Sequence, residues 1–133
     1  MKTLIFLFTL FLMISCTKPV EDSMLISSLD QITGIWKWES TCGGFTDNCG
    51  YSSSSHYAQI EFTSGAQFIE THNDTVYFAA HYEIQKSEDN HGTLNLYKMG
   101  SDDILSKGSI SILDNKLQLS FGGELYETYK KIK

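Results

Sequence analysis

From Gly34 onward, apolar and polar residues alternate in short runs broken by turn formers. A period of two puts successive side chains on opposite faces of a strand, so each run predicts a half-buried β-strand. Gly34-Ile35-Trp36-Lys37-Trp38 opens the series, with both indoles on one face. Ala58, Ile60 and Phe62 share a face of the next run, which stops at Thr63-Ser64-Gly65. Residues 66–71 follow and turn at Asn73-Asp74. Residues 75–86 form the longest run, with Val76, Phe78, Ala80, Tyr82 and Ile84 on one face and Tyr77, His81 and Glu83 on the other.

Residues 87–92 read as a polar loop, and 93–98 bring Leu94 and Leu96 together before an interruption at 99–103. In 104–113 the inward set is Gly108, Ile110 and Ile112. Asp114-Asn115 is a tight hairpin signal, because both residues tolerate the left-handed backbone of a two-residue turn. Leu117, Leu119 and Phe121 continue the inward set, Gly122-Gly123 turns again, and 124–132 completes the series. The pattern predicts an all-β fold of about eight antiparallel strands in up-and-down order, preceded by a short helix-like apolar segment at 24–29. Closing such a meander into a barrel removes both of its edges.

A chain of 133 residues with 41% hydrophobic content has room for one domain with a genuine core. A single proline and 20% charged residues argue against disorder. The formal charge is -6, and every basic residue is a lysine. Without arginine or a basic patch, neither nucleic acid nor phosphate is an expected partner.

Lys2 and the apolar run 4–14 have the charged start and greasy middle of a secretory leader too short to span a bilayer. The run ends in Met13-Ile14-Ser15-Cys16, which resembles the bacterial lipobox, with Met13 in place of the usual leucine. The resemblance implies a signal peptide at 1–15, cleavage after Ser15, and palmitate-type acyl chains on Cys16. A plain secretory peptide is the alternative. The polar stretch 16–23 then reads as the lipidated cysteine and its tether, and 24–133 as the domain. Thr17 does not resemble the inner-membrane retention aspartate, so the expected location is the cell envelope, lipid-anchored at the outer membrane, facing the periplasm or the cell surface.

The apolar segment, the Gly-x-Trp of Gly34 and Trp36, and the meander together resemble lipocalin-like (calycin-type) barrels, as found in bacterial lipoproteins. In that family the tryptophan packs at the closed end of the barrel, often against an arginine of the last strand; here Lys130 or Lys131 would have to replace it. The resemblance implies that the barrel binds a small, largely apolar molecule. Inward candidates for its lining are Trp38, Ala58, Ile60 and Phe68 from the first half of the chain, and Phe78, Tyr82, Leu96 and Ile110 from the second. The alternative is a lipoprotein with a filled barrel that acts through a protein partner, using outward Tyr77 and the loop between Cys42 and Cys49.

In an exported chain Cys42 and Cys49 are expected to form a disulfide, closing a loop worth about 2.5 kcal/mol of chain entropy. Metal binding is the weaker reading, because the close Cys-x-x-Cys spacing is missing. The histidines form no set: His72 and His91 fall at turns, His81 faces out, and only His56 shares the face of Ala58 and Ile60. Glu70 falls in step with Ala66 and Phe68, but a slip of one residue would turn it to water. No nucleophile elbow, phosphate loop or metalloprotease helix is present, so neither enzymatic activity nor a cofactor is expected.

Overall fold

A computed structural model describes residues 27–44 and 48–133. The signal peptide, Cys16 with its tether, and residues 24–26 of the expected helix lie outside the described residues. Among the described residues, alternation in sequence becomes nine strands: β1 (Gly34–Gly43), β2 (Gly50–Tyr51), β3 (Ala58–Phe62), β4 (Gln67–His72), β5 (Thr75–Glu88), β6 (His91–Tyr97), β7 (Ile104–Leu113), β8 (Lys116–Ser120) and β9 (Leu125–Lys131). From β3 to β9 each strand pairs with the next, and β1 bonds to both β3 and β9. The result is a closed antiparallel barrel of eight strands. β2 is an extra two-residue strand that pairs with Ser40 and Thr41 of β1, beyond the stretch that β3 covers. The closed barrel and the core packed inside it are built from residues within 27–133.

Turn chemistry sets the register. Asn73-Asp74 and Asp114-Asn115 all have positive φ, between 46° and 65°, as two-residue hairpin turns between right-twisted strands require. Where a polar loop is expected at 87–92, β5 instead continues to Glu88 and β6 starts at His91. The outer ends of these two strands are exposed, so they need no apolar alternation to pair. A second difference lies at the start of β5. Glu70 faces Phe78 while Thr71 faces Val76, so Tyr77 is a bulged residue, and upstream of it the alternation flips. Val76, expected inward, is 62% exposed.

One end of the barrel is closed. Where the expected helical segment at 24–29 enters the described residues, the helical structure is a single 3-10 turn at Leu29–Gln31, capped by the Ser28 hydroxyl accepting from Asp30 N–H. It drops Leu29 and Ile32 into the core, and Leu29 N–H donates to Asp89 O across the β5–β6 turn. Trp36 is fully buried behind this plug, and its Nε1 donates to Ile32 O at 2.7 Å. Lys131 lies over the indole at 5.5 Å from its centroid and donates to Gln31 O. The lysine against the tryptophan is therefore Lys131, while Lys130 is exposed. Gly34 completes the closure: its φ is +132°, and a Cβ there would sit 2.1 Å from Lys133 O. Above the plug, Ile60, Phe62, Leu94, Ile110 and Leu117 fill the barrel with nearly no exposure.

Candidate functional site

At the other end the packing stops short of the rim. The starts of β5, β7 and β9 and the ends of β4, β6 and β8 surround a cleft of about 350 Å³. That volume lies within the usual range for small-molecule sites. Its walls include Phe68 and Glu70 from β4, Phe78 from β5, Leu96 from β6, and Glu127 and Tyr129 from β9. Tyr77, Ser106, Leu119 and Phe121 complete the lining.

The floor is aromatic and firmly set. Phe68, 3% exposed, packs edge-on to Phe62 at 5.2 Å and to Phe78 at 6.2 Å. Phe121 follows the end of β8 and folds back over the space above Gly108. A Cβ on Gly108 would lie 2.6 Å from the Phe121 ring and 2.4 Å from Ser120 O, so the missing side chain makes room for this wall of the cleft.

Two carboxylates break the apolar surface. Strand alternation carries Glu70 inward beside Phe68, and Glu127 inward beside Tyr129. The Tyr129 hydroxyl donates to Glu127 Oε2 at 2.7 Å. Burial, then the Glu127 carboxylate and the more distant charge of Glu70, push the Tyr129 phenol far above its ordinary range, so it remains a neutral donor. Glu70 Oε1 lies 2.5 Å from His72 Nε2, and the His72 ring stacks on Tyr77 with centroids 4.7 Å apart. Among the described residues no group of three or more histidine, cysteine or acidic side chains is arranged to hold a metal ion.

Of the eight lining candidates from sequence, Phe68, Phe78 and Leu96 come together in the cleft. Ile60 and Ile110 lie below it in the packed core, each 1% exposed. Tyr82 sits near the closed end, edge-on to Phe62 at 5.0 Å, with its hydroxyl donating to Thr63 O. Ala58 pairs with His72 at the rim, half-buried. Trp38 packs partly buried against the core, donates to Thr41 Oγ1 at 3.0 Å and meets His56 edge-on; it is not among the residues lining the cleft. Cys42 and Cys49 form a disulfide that ties the β1 end to the approach to β2, outside the cleft.

No family model, no curated protein and no solved structure matches the chain. The barrel's own geometry therefore carries the functional reading.

Sequence reasoning did not single out Glu127 and Tyr129, although the spacing of two along the last run was there to read. What it lacked was the face. The last run mixes Glu, Thr, Tyr and Lys, and without a clear apolar alternation neither face declares itself.

Proposed function

We propose that this chain is an exported lipoprotein, anchored through acyl chains on Cys16, whose barrel binds a small, largely apolar molecule in the open-end cleft. The observation that carries the reading is the contrast between the two ends. One is plugged by Leu29, Ile32 and Trp36, and the other keeps a cleft of about 350 Å³ walled mainly by aromatic and aliphatic side chains. The anchor rests on Met13-Ile14-Ser15-Cys16 and on the polar stretch that follows. Each acyl methylene buried in a bilayer contributes about 0.8 kcal/mol, so multiple chains hold the protein on the outer membrane. The barrel performs no chemistry in this reading and needs no cofactor.

A protein-interaction role for the same lipoprotein is the second reading. It is favoured by the apolar residues exposed around the open rim, among them Tyr51 at 72%, Tyr77 at 73%, Ile104 at 58% and Leu125 at 54%. Binding of N-phenyl-1-naphthylamine separates the two. Saturable, one-to-one fluorescence enhancement supports the binding reading, and no enhancement at any protein concentration favours the interaction role. Metabolic labelling with an alkyne fatty acid tests the anchor: the wild type should carry label that Cys16→Ser loses, and an unlabelled wild type removes the lipoprotein claim.

A further inference from the structure

We propose that the cleft selects an amphipathic ammonium compound, a small apolar body bearing one cationic amine, because its aromatic lining is broken only by acidic and neutral polar groups. The inference rests on the binding reading above and names the chemical class of that ligand. Ten residues line the cleft: five are aromatic, two are glutamates, and none is lysine. The chain has no arginine to supply a cation.

Glu70 on β4 and Glu127 on β9 reach the same cleft from strands separated in the barrel by β1 and β3, and Tyr129 beside Glu127 feels the charge of both. Each carboxylate has one partner, His72 for Glu70 and the Tyr129 hydroxyl for Glu127. A carboxylate oxygen pair accepts about four hydrogen bonds, so both retain acceptor capacity toward the cleft.

A wholly apolar occupant would cut two carboxylates off from solvent and leave them short of donors, which is costly in a partly buried site. An ammonium group reverses the sign. It brings donors and an opposite charge to the carboxylates, and the aromatic rings of Tyr77, Phe78 and Phe121 in the lining suit a cation better than an anion. An inorganic cation fits less well, since a calcium ion takes six to eight oxygens and these walls are mostly carbon. An anionic ligand such as a fatty acid would meet two like charges.

Octylamine, octanol and octanoate share one chain and differ in the head group, so titrating each at neutral pH into the exported chain 17–133 isolates the charge. Calorimetry should give octylammonium about tenfold or more tighter binding than octanol, with octanoate weakest. Glu127→Gln and Glu70→Gln keep shape and hydrogen bonding while removing charge. Each should cut octylammonium affinity several-fold more than octanol affinity, in a protein that still melts cooperatively. Octanol or octanoate binding as tightly as octylamine, or glutamine variants that keep the preference, would overturn the assignment. If N-phenyl-1-naphthylamine binds the same sample while octylamine does not, the ammonium class alone fails. If neither binds, the binding reading fails with it.

Discussion

Trp36 shows what a single side chain secures in this molecule. Its ring is fully buried, its N–H is satisfied by Ile32 O, and Lys131 covers it. Trp36→Ala removes all three contacts and should cost about 3 to 5 kcal/mol, enough to unfold much of the population. Trp38→Ala, at a half-buried position, should cost clearly less in urea melts. Equal losses would contradict the different burial of the two indoles. Tyr129 makes a prediction in pH. Its folded pKa is raised above the unfolded value of about 10, so its contribution to stability is complete below pH 10 and is lost as pH rises further. The slope from this one group is about 1.4 kcal/mol per pH unit. Urea midpoints at pH 8 to 11 should therefore fall more steeply for wild type than for Tyr129→Phe. Parallel curves would show that Tyr129 ionises freely in the folded state. Apolar side chains such as Ile60, Ile110 and Leu117 were legible because burial follows hydrophobicity on a clean alternation. Glu70 was legible only as an inward candidate that a slip of one residue would undo, and Glu127 not at all, because a carboxylate at an inward position runs against that rule and only the register of the finished barrel places it.

The strands and most turns could be read from local chemistry, with Asn73-Asp74 and Asp114-Asn115 the plainest cases. The misread pieces are those where pairing overrides local preference. Polar ends of β5 and β6 stay zipped to Glu88 and His91, and the bulge at Tyr77 reverses which face Val76 occupies. Small inward residues do not hollow the interior here: Ala80 lies fully buried in the packed core, and Phe121 covers Gly108. The Cys42–Cys49 disulfide is an element-level staple, fixing the end of β1 to the strand that follows. Its reduction should lower stability by about 2.5 kcal/mol and Tm by on the order of 10 °C. Because the bridge lies outside the cleft, N-phenyl-1-naphthylamine affinity should change little in the reduced but still folded protein. A matching melt with and without reductant would contradict a stabilising bridge.

Taken whole, the barrel divides its length between stability and opening. The plug at Leu29–Gln31, the Trp36 cluster and the aliphatic layer above it occupy the closed end, and the cleft takes the space left under the open rim. The 3-10 turn and the end of the last strand meet at the closed end, where Lys131 donates to Gln31 O and Ile35 N–H donates to Lys133 O. An eight-strand barrel can be packed solid or keep room for one ligand, so strand count alone does not decide. The aromatic walls and unfilled volume here favour the ligand. Filling the cleft decides it most directly. Ser106 lies on its wall, half-buried on β7 opposite Leu96, and Ser106→Trp would occupy the cleft from a strand position. Native mass spectra of wild type and Ser106→Trp, both folded by their melting curves and both exposed to an extract of the producing cells, make the comparison. The expected result is an added small-molecule mass on wild type that disappears on denaturation and is missing from the filled variant. A bare wild-type mass, or the same added mass on both proteins, would contradict a ligand held in this cleft.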